Sequence, residues 1–197
     1  VRHVIENFKK KYRNVCLSID TRKSELMKKG IKHGVDLIND VSGFEYDKSS
    51  LLDLKKFNIP KVLHHMQGTP NTMQKKPQYE NVLLDIYDYF EQSIEKRFSD
   101  KKIVIDPGIG FGKTLKHNLT LISKISLFHS LGLPILIGTS RKRFINQIAS
   151  EFDSEDRTGG TLASVLFLLT QGVQIFRVHN VKEVKQGMLV FNKILFN

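Results

Sequence analysis

The sequence contains one cysteine, Cys16, which excludes an intrachain disulfide framework and any zinc site built from cysteines alone. No apolar run reaches the ~20 residues that a membrane-spanning helix requires. The opening VRHVIENFKK lacks the pattern of a secretory signal, namely a charged start, a long apolar stretch and a small-residue cleavage site. No block of five or six like charges occurs, although 31 Lys and Arg against 20 Asp and Glu give a net charge of +11. Scattered lysines on that scale read as a solvated basic surface rather than a nucleic-acid tract. A cytoplasmic protein with no membrane and no nucleic-acid partner is expected. There is no linker, low-complexity tract or repeated block. With 40% apolar and 26% charged residues, the 197 residues read as globular, and their length suits one domain or two small ones, of which one domain over 1–197 is expected.

The chain does have a beat of short apolar runs: VCLSID at 15–20, VDLIND at 35–40, PKVLHHM at 60–66, KIVIDPG at 102–108, PILIGTS at 134–140 and QIFRVHN at 174–180. Most are continuous rather than alternating, as in strands buried on both faces of a parallel sheet. Helical spacing separates them. Residues 22–33 carry Leu26, Met27 and Ile31, with Thr21 as a candidate N-cap. Residues 79–98 carry Val82, Leu83, Ile86, Phe90, Ile94 and Phe98 at intervals of three and four. Residues 117–130 form a third helix, stopped by Gly132 and Pro134. The stretches 158–171 and 181–195 are apolar enough to be largely covered. Six strand–helix alternations predict βαβ units, either an open doubly wound sheet or a closed barrel. VCLSID runs straight into TRKSEL without the glycine fingerprint of a dinucleotide fold, which favours the barrel.

Polar residues gather at the C-terminal ends of these runs: Asp20, Asn39–Asp40, His64–His65–Met66, Asp106, Thr139–Ser140–Arg141–Lys142, then Arg177 and His179. In a parallel barrel these ends share one rim, where active sites of such barrels lie. Turn chemistry accounts for single Asp or Asn residues there, but not for acids, an amide and bases at all six ends. Asp20, Asn39 and Asp106 suit a ring edge with adjacent N–H donors, which a carboxylate grips at two points. Lys142 suits the opposite edge, and Arg141, Arg177 and His179 suit a phosphate or carboxylate.

Several residues have plainer readings. His64 and His65 alternate across a strand, so only one can face the interior, and both are expected to be structural. Cys16 is expected to pack inertly early in its strand. Met66 and Phe111 are core types, promoted because they adjoin the rim. The polar loop from Gly68 to Pro77, with two prolines, is expected to be mobile. GIGFGKT at 108–114 imitates a phosphate-binding loop, but the required first glycine falls on Pro107. No His-Glu-x-x-His or cysteine pair offers a metal site.

SIDT at 18–21, INDVSG at 38–43, HMQGTPNTMQ at 65–74, IDPGIGFGKT at 105–114, GTSRKRFI at 138–145 and FRVHNV at 176–181 together resemble the dihydropteroate synthase family, in order and over essentially the whole chain. The resemblance implies a TIM (β/α)8 barrel of folate biosynthesis. Such a barrel joins 6-hydroxymethyl-7,8-dihydropterin diphosphate to 4-aminobenzoate, giving 7,8-dihydropteroate and pyrophosphate. It further implies Asp20, Asn39 and Asp106 as ligands of the pterin edge and Lys142 on the opposite edge. Arg177 would stack on the ring and touch the diphosphate, His179 would be its anion-binding partner, and Met66, Phe111 and Gly138 would line the pocket. Catalytic work would fall to Lys142, Arg177 and His179. Magnesium held through the substrate diphosphate, sulfonamides as mimics of aminobenzoate, and a homodimer through the late helices are also implied.

The family barrel has two further strand–helix units, bearing an Asn-Val-Thr-Pro-Asp-Ser-Phe loop and a Ser-Thr-Arg-Pro-Gly loop, and neither occurs here. A barrel of this kind takes ~250 residues, and this chain starts with Val rather than Met. A barrel lacking its first two strand–helix units, with six parallel strands present and weak or no activity by itself, is therefore expected. The asparagine linked to the metal in the family would be among the missing residues. Two alternatives are a non-catalytic pterin-binding partner subunit and a methyltetrahydrofolate–corrinoid methyltransferase. The SRK and RVH elements argue against the latter.

Overall fold

The computed structural model describes residues 1–98, 102–150 and 153–197. Six strands alternate with helices: α1 (Arg2–Lys11), β1 (Ser18–Asp20), α2 (Ser24–Lys32), β2 (Leu37–Asp40), α3 (Ser50–Leu54), β3 (Lys61–His64), α4 (Val82–Arg97), β4 (Ile103–Asp106), α5 (Leu115–Ser123), β5 (Leu136–Ile137), α6 (Arg143–Ala149), α7 (Thr158–Thr170), β6 (Ile175–Phe176) and α8 (Val181–Leu195). All pairings are parallel, in the order β1-β2-β3-β4 and β5-β6. A parallel bridge from Ile105 to Ile135 joins the two groups into one curved wall. Strands that are parallel neighbours in chain order, with helices outside, make the wall of a (β/α) barrel.

The period-2 alternation of each strand sorts its residues onto two faces. Ile38, Leu63, Ile103, Ile105 and Ile137 face the helices, where they join Met27, Leu54, Ile86, Phe90, Leu121 and Phe128 in the main core. Val62, Val104 and Leu136 face inward, with Leu37 and Ile175 packed on them, as a smaller apolar plug. Two residues further along each strand, on the same inward face, come Asn39, His64, Asp106, Gly138 and Arg177. The polar layer thus sits directly above the apolar one.

β1 pairs only with β2, and β6 only with β5, among the described residues. The wall is open between them. Ser18 and Asp20 of β1 are exposed and both residues of β6 are half-buried, while all four residues of β3 and of β4 are buried.

Local details differ from the sequence expectations. β1 begins only at Ser18, so Cys16 is exposed rather than packed. The chain before it turns off α1 (Val15 N–H to Tyr12 O, 3.2 Å), and the Asp36 carboxylate takes the Leu17 N–H at 2.8 Å. Thr21 does not cap α2. Its hydroxyl accepts from Lys23 N–H, and the first N–H of the helix, on Ser24, is taken by Asp47. The helix foreseen over 117–130 starts at Leu115, capped by Thr114, whose side chain and that of His117 reciprocally take each other's backbone N–H. It gives way to a 3-10 segment, Ile125–Leu131, ended at Gly132 with φ +68. α8 is less covered than its composition suggested: Val184 is buried, whereas Leu189, Val190 and Ile194 are exposed. The 68–77 loop makes hydrogen bonds at both ends of its span and to the glycine-rich segment. Gln67 exchanges two hydrogen bonds with the Gln78 backbone (2.6 and 2.9 Å), and Gln74 donates to Gly110 O at 2.7 Å.

Candidate functional site

The polar layer converges on a cavity of about 350 Å³ lined by Asp106, Phe111, Gly138, Ser140, Lys142, Arg177, Val178 and His179. Arg177 and Asp106 of this lining belong to a chain of hydrogen bonds and ion pairs that runs on to Asn39 and Asp20. Asn39, 2% exposed at the end of β2, donates through Nδ2 to Asp20 Oδ2 at 2.8 Å and accepts at Oδ1 from Arg177 Nη2 at 2.7 Å. Asp106, buried at the end of β4, takes the Gly108 N–H on Oδ1 at 2.9 Å and turns Oδ2 towards Arg177 Nη1 at 3.6 Å. Partial desolvation pushes the Asp20 carboxyl up. Arg177 and the Asn39 hydrogen bond oppose that push, and the Asp106 charge adds to it.

The DPGIGFGK segment forms the opposite lip. Gly108, Gly110 and Gly112 all have positive φ, which lets the chain coil tightly over the barrel end. The coil presents the Phe111 ring, and Lys142 Nζ lies 4.1 Å from its centroid, a cation–π contact. Desolvation pulls the Lys142 ammonium below its ordinary range, with Arg177 pulling the same way and Asp106 opposing. At the outer end His179 N–H donates to Ser140 Oγ at 3.2 Å, and that hydroxyl meets His179 Nδ1 at 2.9 Å.

Two residues expected at the site lie elsewhere. The Arg141 guanidinium binds Asn180 Oδ1 (3.2 and 2.9 Å) and pairs with Glu155. Its backbone has φ +59, and Arg157 donates to its carbonyl at 3.0 Å. Met66 lines a separate cavity of about 210 Å³ with Arg22, Ser42, Glu45, Tyr46, Gly68, Thr69 and Pro70.

The two histidines part as the alternation requires. His64 faces inward and donates from Nδ1 to Val41 O at 3.0 Å, its ring edge-on to Phe111 at 4.6 Å. Burial holds it down at about 4. His65 faces the helices between the Tyr79 and Tyr89 rings and meets Lys113. Lys113, 4% exposed, was visible in the sequence only as part of a failed phosphate-loop match. No spacing marks a lysine for burial.

Fold and rim together define the class: a (β/α) barrel with one polar site built at the C-terminal ends of its strands. The model of the pterin-binding enzyme family matches residues 1–179, and the chain belongs to that family. It is 37% identical over 185 residues to the dihydropteroate synthase of Escherichia coli K12, covering 92% of this chain and 65% of that protein, a little under two thirds of its length. Two solved structures superpose closely. One is Yersinia pestis dihydropteroate synthase with a sulfonamide drug complex (TM-score 0.94, 34% identity, 99% of this chain and 72% of that one). The other is the Xanthomonas albilineans dihydropteroate synthase in complex with 7,8-dihydropteroate (TM-score 0.91, 29% identity, 100% and 73%).

Proposed function

We propose that this chain carries the pterin-binding half of a dihydropteroate synthase site, and that the whole enzyme joins 6-hydroxymethyl-7,8-dihydropterin diphosphate to 4-aminobenzoate. The observation that carries the reading is one cavity lined by Asp106 and by Lys142 on the Phe111 ring, whose Arg177 is hydrogen-bonded through Asn39 to Asp20. A pterin presents amino and ring N–H donors on one edge and a carbonyl and ring nitrogen elsewhere. That matches acids on one side and a cation on the other.

In this reading the protein positions and stabilises charge. The bond between the pterin methylene carbon and the diphosphate oxygen breaks, pyrophosphate carries off the electron pair, and the arylamine nitrogen attacks that carbon and loses a proton. Arg177 and His179 would receive the developing charge on the leaving group, and Lys142 would hold the ring. Among the described residues no three His, Cys, Asp or Glu side chains converge to hold a cation, and Asp20 and Asp106 already serve neighbours. This chain's own residues do not fit a resident magnesium. The ion belongs with the substrate diphosphate.

The 197 residues act as one barrel domain, and two more strand–helix units would close the wall between β6 and β1 and complete the aminobenzoate side. The exposed apolar residues of α8 suit a homodimer contact. Among the described residues no helix is long and apolar enough to cross a membrane, in keeping with a cytoplasmic enzyme.

The test has two parts. The chain should quench the fluorescence of 6-hydroxymethylpterin on binding. Pyrophosphate release dependent on 4-aminobenzoate should be slow or absent until further barrel units are supplied. No pterin binding would overturn the reading. Binding without turnover in a completed barrel would favour a non-catalytic pterin-binding subunit.

A further inference from the structure

Arg177 holds the two acceptors that a pterin edge needs. Asn39 spends its Nδ2 on Asp20, and its Oδ1 accepts from Arg177 Nη2 at 2.7 Å. Asp106 spends Oδ1 on the Gly108 N–H, and Oδ2 faces Arg177 Nη1 at 3.6 Å. One guanidinium thus hydrogen-bonds the first of these acceptors and stands in ion-pair range of the second. The donor edge of a pterin is the same chemical unit, a carbon flanked by three nitrogens, closed into a ring. Guanidinium and ring edge cannot occupy one pair of acceptors together.

We propose, resting on the pterin reading above, that Arg177 is a displaceable internal competitor: its guanidinium covers Asn39 and Asp106 until a ring with a guanidine-like edge replaces it, and an anionic tail on that ligand then receives the displaced cation. Two features let the exchange occur. The Arg177 side chain is 43% exposed, so its guanidinium reaches solvent without crossing a packed core. His179 and Ser140, which line the same cavity, give an anion a place next to the swung arginine.

The exchange has a direction in charge. Displacing a cation with a neutral ring deprives Asp106 of its Arg177 partner and leaves Lys142 as the cation beside it. A ligand that brings its own anion restores a partner for Arg177, and a ligand without one does not. The arginine therefore acts as a specificity-determining residue, raising the threshold for the neutral pterin and lowering it for the diphosphate.

Calorimetric titration of wild type, Arg177→Ala and Arg177→Lys with 6-hydroxymethylpterin and with its diphosphate tests this. Arg177→Ala should bind the neutral pterin roughly three- to tenfold more tightly, the share of one charge-assisted bond at a partly exposed group. It should bind the diphosphate roughly tenfold more weakly. Arg177→Lys keeps the charge but covers one acceptor, and should shift the same way by less. It also serves if the alanine variant fails to fold. Methylguanidinium at millimolar concentration should raise the Tm of Arg177→Ala and compete with the neutral pterin there, and should do neither in wild type. Equal weakening of both ligands, or no response to methylguanidinium, would overturn the proposal. If no form of the chain binds either pterin, the functional reading fails, and the methylguanidinium response of Arg177→Ala decides the internal competitor by itself.

Discussion

Lys113 Nζ lies 3.1 Å from Nδ1 of His65, with both side chains withdrawn from solvent. While Lys113 is protonated it can only donate, and His65 then accepts at Nδ1 with its proton on Nε2. The second bond of Lys113, to Phe111 O at 2.9 Å, ties β3 to the coil that presents the Phe111 ring. Burial, with Lys142 adding repulsion and Asp106 opposing, pushes the Lys113 ammonium down to about 7.

That lysine makes stability depend on alkaline pH. Between about 7 and its ordinary 10.5 the unfolded chain holds a proton that the folded chain does not. Stability therefore rises with pH across this window, by at most ~1.4 kcal/mol per unit for one group. Lys142, also lowered, adds in the same direction. In urea unfolding at pH 7 and 9, Lys113→Met should gain ~1–2 kcal/mol less than wild type between the two. An identical gain would show that the buried lysine does not titrate there.

His64 governs the acid side. Its folded-state value of about 4 lies below the ordinary 6.5, so the unfolded chain takes up a proton first as pH falls. Stability is lost from about 6.5 down to 4, and His65, lowered as well, contributes to the same loss. His64→Asn retains a donor near the Nδ1 position for Val41 O and removes the titration. Its midpoint of acid unfolding should lie below that of wild type, measured by circular dichroism.

Gly108 and Gly132 separate crowding from backbone strain. Both have positive φ, +72 and +68, but a Cβ on Gly108 would stand 2.0 Å from the His65 carbonyl oxygen, whereas one on Gly132 meets nothing within 4 Å. Gly132→Ala should cost ~1 kcal/mol, the left-handed penalty alone. Gly108→Ala should cost ~3 kcal/mol or more, because the coil must lift off β3. Thermal unfolding of the two variants should show the Tm loss at 108 to be at least twice that at 132.

Asp106 should matter most for the ring. Asp106→Asn keeps the shape but removes the charge that faces Arg177 and Lys142. Affinity for 6-hydroxymethylpterin should fall about tenfold to a hundredfold, the value of a buried charge-assisted hydrogen bond. Asp36→Asn, whose carboxylate serves Lys9 and Leu17 at the other end of the sheet, should leave pterin binding unchanged.

Much of the fold was legible because the barrel writes itself in two periods. The continuous β-branched run Ile103–Ile105 marks a strand covered on both faces, and the three-and-four spacing from Val82 to Ile94 marks α4. α3 and α6, five and seven residues long, carry too few turns for a periodicity to register. Cys16 was misplaced because VCLSID reads as one strand, while the turn off α1 and the Asp36 carboxylate claim its first residues. Arg141 looked equivalent to Lys142 in SRK. A left-handed backbone and the partners Asn180 and Glu155 turn it away from the cavity.

The order of residues along the chain puts polar groups at or just beyond the C-terminal ends of all six strands. It also set the alternation that places Asn39, His64, Asp106 and Arg177 two residues beyond Leu37, Val62, Val104 and Ile175, because side-chain direction along a strand is a local property of the backbone. Only the tertiary structure decided which of those groups hold one another. Arg177 stands 138 positions from Asn39, and Lys113 stands 48 from His65. Hydrogen bonds and burial over such separations exist only once the wall has curved and water has been excluded from its upper end.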